Sequence, residues 1–161
     1  LRPAVESLDE TRDIVRRNIT SGAVQSFAIR ELSPDGSGPL GDAFGWVILM
    51  DRREGCAEIG YMTCPAYQGR GFARDAVARV LRYAFDERKL RRVYADTDPE
   101  NAPSVALLEK LGFELEGRLR ADWLTHLGVR DTALYSIVRL PYQTSQSPLL
   151  ARKGLDGAPD A

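Results

Sequence analysis

The hydrophobic period of the chain changes at Pro65, and this change limits the folds that are open to it. Before Pro65, strand-sized segments at Phe44–Met50 and Ala57–Cys64 flank a short polar turn at Asp51–Gly55, which predicts a β-hairpin. After it, apolar residues recur at helical spacing and charged residues fall on the opposite face. This pattern predicts an amphipathic helix of roughly 15 residues that lies on a sheet.

The other segments extend the same mixture of strands and helices. In chain order we predict an edge strand at 1–5, a helix within 9–21, strands at 25–30, 44–50 and 57–64, the long helix from 73, a strand at 91–97, a helix at 102–111, and strands at 113–123 and 132–140. This order predicts a mixed α/β (α+β) fold with hairpins at both ends. We assign residues 1–141 to one domain and predict that residues 142–161, which lack a sustained period, form a flexible tail.

Composition excludes several classes of partner. The chain has 22 Lys and Arg against 23 Asp and Glu, so it lacks the excess of positive charge that nucleic-acid binding needs. The longest apolar run, Phe44–Met50, is far shorter than the roughly 20 residues that cross a bilayer. Two cysteines and one histidine are too few for a disulfide framework or a zinc site. We therefore predict free thiols, no metal site, and a cytoplasmic protein that binds neither nucleic acid nor membrane.

A glycine-rich turn separates the hairpin from the long helix. Gly69 and Gly71 allow conformations that other residues resist, and the first amides of the following helix have no partners within the helix. Such amides converge on an anion such as a pyrophosphate. The P-loop and dinucleotide patterns do not fit, because Phe72 stands where Lys would follow and a third glycine is missing. A tight connection that binds no ligand is the alternative.

The turn and several further segments resemble one family. The run Gln68–Ala73 (QGRGFA) resembles the Gln/Arg-x-x-Gly-x-Gly/Ala signature of the GNAT acyl-CoA-dependent N-acetyltransferases. Matching segments follow in the right order: EIGY at 58–61, DPENAPS at 98–104, LEKLGF at 108–113, EGR at 116–118 and LYS at 134–136. They resemble the branch of the RimJ/RimL ribosomal-protein acetyltransferases. The resemblance implies a GNAT fold, whose mostly antiparallel, twisted sheet is splayed in the middle and flanked by helices. The segment 9–21 is shorter than is usual in this branch, and the tail is not part of the pattern.

The resemblance implies an acetyl-CoA site. The pantetheine arm is expected along the backbone of Tyr61, Met62 and Thr63, and Asn101 against that arm. The pyrophosphate is expected on the amides of seven consecutive residues: Gln68, Gly69, Arg70, Gly71, Phe72, Ala73 and Arg74.

It also implies direct attack of a neutral amine on the thioester. Ser104 is expected near the sulfur, where its hydroxyl can protonate the leaving thiolate, and the Met62 amide is expected to stabilise the oxyanion. Glu58 is the candidate route for the amine's proton, with Tyr94, Asp96 and Tyr135 as weaker candidates. Capping of the helix remains the alternative role of Asn101 and Ser104.

The predicted function is acetyl transfer from acetyl-CoA to a primary amine, either a protein N-terminal α-amine or a small-molecule amine. Two alternatives remain: a non-catalytic acyl-CoA-binding regulatory module, and a subunit that depends on a partner held by its tail. A homodimer is expected by analogy with the branch.

Overall fold

A computed structural model describes residues 22–33, 35, 37–125 and 128–139, and four isolated positions before them. Those four positions are helical, as the predicted first helix requires: Asp13, Arg16, Arg17 and Thr20. The predicted edge strand at 1–5, the remainder of that first helix and the predicted tail at 142–161 lie outside the described residues.

Six strands form one sheet among the described residues, and all but one pair of neighbours are antiparallel. The strands are β1 (Val24–Leu32), β2 (Pro39–Arg53), β3 (Cys56–Thr63), β4 (Arg92–Thr97), β5 (Glu114–Thr125) and β6 (Gly128–Val138). Their order across the sheet is β1-β2-β3-β4-β6-β5, in which β3 and β4 are parallel. The predicted mixed fold with a mostly antiparallel sheet is confirmed.

The second strand is longer than its apolar run suggests. We predicted Phe44–Met50, whereas β2 extends to Arg53. The difference arises from a bulge after Asp51, where Arg53 resumes pairing opposite Cys56. The hairpin turn is therefore only Glu54 and Gly55, instead of the polar segment predicted from Asp51.

Two helices pack on one face of the sheet. Helix α1 (Phe72–Arg82) continues into a π-helical turn at Tyr83–Glu87, so the helical segment has the predicted length in total. Helix α2 (Ala102–Lys110) begins after its cap at Asn101. Their buried side chains pack against alternate residues of the central strands. These core residues are Val47, Leu49, Ala57, Ile59, Val77, Val80, Leu81, Val93, Ala95, Leu108, Tyr135 and Ile137.

Candidate active site

The two parallel strands separate after a short paired segment. The pairing joins Cys56 to Arg92, Ala57 to Val93 and Glu58 to Tyr94, and it stops there. In the described part of the chain, no strand pairs along this side with the remaining residues, 59–63 of β3 and 95–97 of β4. We call this opening the β3–β4 cleft. Its backbone groups need partners, which a peptide-like chain lying in the cleft can supply.

The strand register decides which groups of β3 face the cleft. The amide of Cys64 donates to the carbonyl of Phe44 in β2 at 2.7 Å. Because such bonds alternate along an antiparallel pair, Tyr61 and Thr63 direct their backbone groups toward β4. The same alternation directs the backbone of Met62 toward Trp46 of β2. The predicted roles of the Met62 backbone, for the arm and for the oxyanion, therefore disagree with the register.

The glycine turn exposes a row of unpaired amides. Gly69 and Gly71 have φ of 73° and 87°, in the left-handed region that glycine favours, and the space beside each is open. Among the described residues, no acceptor receives the amides of residues 69–74, and the first bonded amide of α1 is that of Asp75. These donors lie at the positive end of the helix, which favours an anion.

Gln68 differs from the rest of the turn. Its amide donates to the carbonyl of Pro65 at 3.2 Å, so the predicted contact of this amide with a phosphate is wrong. Its side-chain amide donates to the carbonyl of Thr63 at 3.1 Å. Gln68 thus ties the glycine turn to the end of β3.

Aromatic side chains pack against one another beside the glycine turn. Phe44 and Tyr67 stack with ring centroids 4.1 Å apart, and Phe72 packs against Phe44 at 4.8 Å. The guanidinium of Arg70 lies 4.8 Å from the centre of the Phe72 ring and forms an exposed ion pair with Glu31 at 3.0 Å. Arg70 is therefore held beside the turn.

The N-terminus of α2 is fixed by side chains. The Asn101 carboxamide oxygen accepts from the amide of Ser104 at 3.2 Å, which is the capping role. Arg130 of β6 pairs with Asp98 at 2.8 Å and with Glu100, and so anchors the turn before the helix. The Arg130 hydrogen bond holds the pKa of Asp98 below its usual range.

The hydroxyl of Ser104 lies 2.8 Å from the hydroxyl of Tyr61. This contact joins α2 to the unpaired half of β3. Burial raises the pKa of the Tyr61 phenol, and the hydrogen bond with Ser104 opposes that shift.

Carboxylates gather on the opposite face of the sheet from the helices. Glu58, whose side chain is 18% exposed, is paired with Arg52 at 2.8 Å. Asp96 lies two residues beyond the last position at which β4 pairs with β3, and its carboxylate forms no hydrogen bond or ion pair with the described part of the chain. Burial, followed by the charges of Glu58 and Asp122, raises the pKa of Asp96.

The two tyrosines predicted as weaker candidates lie on different faces. Tyr94 is next to Glu58 in the sheet, and burial, followed by the Glu58 charge, raises its pKa. Tyr135 is buried on the helical side, and its hydroxyl donates to Glu109 at 3.3 Å. Of the two, only Tyr94 shares a face with Glu58.

Sequence reasoning missed the contributions of three side chains. The hydroxyl of Tyr61 and the guanidinium of Arg130 act across the fold, and no local pattern indicates them. Asp122 follows Ala121, whose φ of 54° is stabilised because its amide donates to Asp131 at 2.8 Å. In this irregular segment of β5, the Asp122 carboxylate accepts a hydrogen bond from the Thr132 hydroxyl at 2.8 Å. Its negative charge contributes to the raised pKa of Asp96.

The comparison with known families matches this arrangement. Residues 2–114 match the family described as the Acetyltransferase (GNAT) domain, which is more than half of the chain. The chain belongs to the GNAT acetyltransferase family. The predictions of the GNAT fold and of an N-acetyltransferase enzyme class are confirmed at the level of the family.

Individual relatives agree with the family. An uncharacterized N-acetyltransferase, p20 of Bacillus licheniformis, is 36% identical over 94 residues, which are 58% of this chain and 53% of that protein. The spermidine N(1)-acetyltransferase of Vibrio cholerae is 27% identical over 139 residues, covering 85% and 76%. A GNAT-family acetyltransferase structure from Bacillus anthracis superposes with a TM-score of 0.71 at 28% identity, covering 84% of this chain and 76% of that one. The chain spans about half the length or less of the first curated relatives it matches.

Among the residues that the structure describes, no helix has the length and apolar character of a transmembrane segment.

Proposed function

We propose that this chain binds acetyl-CoA in the β3–β4 cleft and transfers the acetyl group directly to a primary amine. The observation that carries the proposal is the juxtaposition of two features: strands that separate after three paired positions, and a glycine turn with unpaired amides at the end of β3. A thioester that lies in this cleft presents an activated acetyl group, and the protein supplies binding, orientation and proton routes.

Three parts of the chain hold the cofactor in this proposal. The amides of residues 69–74 bind the pyrophosphate, with Arg74 at the rim. The backbone groups of Tyr61 and the amide of Thr63, which face β4, bind the pantetheine arm, whereas the Thr63 carbonyl already accepts from Gln68. Ser104 lies in the first turn of α2 beside Tyr61, where its hydroxyl is proposed to meet the departing sulfur, and Asn101 fixes the turn of helix that carries it.

The proton that the amine loses needs an acceptor, and the candidate carboxylates lie on the face of the sheet opposite the helices. Glu58 is engaged with Arg52, whereas the Asp96 carboxylate has no partner within the described residues and has a raised pKa that brings it closer to the working range of a base. We assign Asp96 as the proton acceptor, directly or through water. Glu58 is the group whose negative charge helps to raise the pKa of Asp96. Both lie where β3 and β4 separate.

The acceptor is proposed to be a cationic amine. The carboxylates of Glu58, Asp96 and Asp122 favour a substrate with positive charge beyond the reacting nitrogen, such as a polyamine. The similarity to a spermidine acetyltransferase supports this choice. A protein N-terminal α-amine, the acceptor that the RimJ/RimL resemblance implies, is the competing acceptor.

The proposed setting is the cytoplasm. Cys56 is buried and Cys64 is exposed, and neither forms a disulfide. This agrees with a reducing compartment.

The test is an amine panel with acetyl-CoA. Release of free CoA thiol is measured with spermidine, with small monoamines and with peptides that have free N-termini, and binding of acetyl-CoA is measured by calorimetry. We expect binding together with turnover on the polyamine. Tight binding without turnover on any amine would support the acyl-CoA-binding module, and absence of binding would contradict both.

A further inference from the structure

The side chain of Tyr61 connects β3 to helix α2 through a hydrogen bond. Its hydroxyl lies 2.8 Å from the Ser104 hydroxyl, although the two residues are 43 positions apart in sequence. Tyr61 comes from the unpaired half of β3, and Ser104 from the first turn of α2. The contact therefore joins one strand of the cleft, β3, to the helix that follows the other strand, β4.

The direction of this hydrogen bond determines what Ser104 can do. A hydroxyl has one hydrogen to donate and can accept at the same time. If Tyr61 donates to Ser104, the hydrogen of Ser104 stays free for another acceptor. If Ser104 donates to Tyr61, its hydrogen is used within the protein.

Chemistry and distance favour Tyr61 as the donor. A phenol is a stronger hydrogen-bond donor than an aliphatic hydroxyl, and the raised pKa of Tyr61 means that it keeps its hydrogen throughout the neutral range. The other acceptor within its reach is the main-chain carbonyl of Ser104, which at 3.4 Å is distant compared with the hydroxyl at 2.8 Å. The Ser104 amide donates to Asn101, so the backbone of Ser104 is fixed by Asn101 and its hydroxyl by Tyr61.

We infer that Tyr61 is a positioning residue for acetyl transfer: by donating to the Ser104 hydroxyl, it directs the Ser104 hydrogen toward the sulfur that departs. The inference rests on the proposed function. It assigns the Tyr61 side chain a role separate from that of its backbone, which lines the cleft. Ser104 then stabilises the developing thiolate with a hydrogen bond that is already oriented before the reaction.

The kinetic test uses Tyr61→Phe, Ser104→Ala and the double variant. We expect Tyr61→Phe to lower kcat about tenfold, the worth of one oriented hydrogen bond, while KM and Kd for acetyl-CoA change less than about twofold. In the Ser104→Ala background, Tyr61→Phe should cause no further loss, because its effect passes through that hydroxyl. The inference would be overturned if the kcat losses of the two single variants multiply in the double variant. It would also be overturned if Tyr61→Phe has the kcat of the wild type.

A matched control removes a hydroxyl elsewhere. Tyr83 is half-buried and packs against Phe27 at 5.5 Å, and within the described residues its hydroxyl has no hydrogen-bond partner. Tyr83→Phe should keep the kcat of the wild type. Equal loss in both variants would indicate a general effect of phenol removal and would contradict the assignment.

A second measurement does not depend on turnover. The thiol of bound CoA is titrated by the ultraviolet absorbance of its thiolate in the wild type and in each variant. We expect the wild type to lower the pKa of the thiol and both Tyr61→Phe and Ser104→Ala to raise it. A thiol pKa that Tyr61→Phe leaves unchanged would overturn the inference, even if the enzyme acetylates amines. A wild type that lowers the thiol pKa but acetylates no amine would instead contradict the proposed function alone.

Discussion

The proposed cofactor end of the cleft and its acceptor end are built from different parts of the chain. The cofactor end consists of backbone: residues 69–74 are consecutive, and their amides are free because glycines turn the chain into the start of a helix. The acceptor end consists of side chains from separate strands: Glu58 on β3, Asp96 on β4 and Asp122 on β5. A backbone site is encoded locally, whereas a side-chain site exists only after the sheet has formed.

The largest expected effect is at the cofactor end. Gly71→Val places a β-branched residue at a φ of 87°, which costs about 1–3 kcal/mol, and it adds bulk where the pyrophosphate is proposed to bind. We expect acetyl-CoA to bind about 100-fold more weakly, which corresponds to about 3 kcal/mol, and the melting temperature to fall. Calorimetry and thermal unfolding measure the two effects.

Gly117→Ala is the matched control for this change. The space beside Gly117 is also open, but its φ is outside the left-handed region and it lies on β5, away from the turn. This variant should bind acetyl-CoA like the wild type. An unchanged Kd in Gly71→Val would contradict the assignment of the glycine turn.

The next effect is at the acceptor end. Asp96→Asn should lower kcat/KM for the amine about 100-fold, within the range for loss of a general base, while Kd for acetyl-CoA stays unchanged. Glu58→Gln should have a smaller effect, because that carboxylate is engaged with Arg52. If Glu58→Gln is the more damaging variant, the two roles are reversed.

The pH dependence of Asp96 sharpens this comparison. Because its pKa is raised, the basic form increases as pH rises through a value above the ordinary aspartate pKa of about 3.9. The acid limb of kcat/KM should follow that rise and should disappear in Asp96→Asn. The stability change has the opposite sign: the wild type loses stability as pH rises through the raised pKa, so Asp96→Asn should melt at an equal or slightly higher temperature at neutral pH.

Much of the fold and of the cofactor end could be predicted because the signals are local. The period change at Pro65, the glycines before α1 and the cap at Asn101 each act within a few residues. The error at Met62 has a different origin. Which amides of β3 face the cleft depends on the register with β2, and the register comes from pairing across the hairpin.

The acceptor end could not be predicted for the same reason. Asp96 looks like an ordinary strand residue until the folded sheet partly buries it and brings Glu58 and Asp122 near it, which together raise its pKa. The irregular segment that contains Asp122 depends on Asp131, which lies ten residues after Ala121 and accepts from its amide. The pairing of Tyr61 with Ser104 requires the whole of α1 and β4 between them. None of these relationships has a periodic signature.

A smaller effect is expected where the two ends meet. Arg130 of β6, on the acceptor side of the sheet, anchors the turn that leads to Asn101 and Ser104. Arg130→Met should lower kcat several-fold, less than the substitution of Ser104, because it only loosens the support of α2. It should also lower the melting temperature slightly at neutral pH.

The pH dependence identifies the ion pair as the cause. The hydrogen bond from Arg130 lowers the pKa of Asp98, so its stabilising effect is present above the unfolded pKa of about 3.9 and is lost as pH falls through the folded value. The difference in melting temperature between wild type and Arg130→Met should therefore shrink below about pH 4. A difference that persists in acid would point to packing by the arginine stem instead.

The smallest effect is expected from the predicted tail. The domain assignment places residues 142–161 outside the GNAT domain, and the family match also ends well before them, at residue 114. Truncation after Pro141 should leave the acetyl-CoA Kd, the melting temperature and the amine kcat unchanged. Because the cofactor end is formed by consecutive backbone, a loss of amine kcat/KM with an unchanged Kd would mean that the tail completes the acceptor end. A change of mass in solution on truncation would instead favour the partner-dependent subunit.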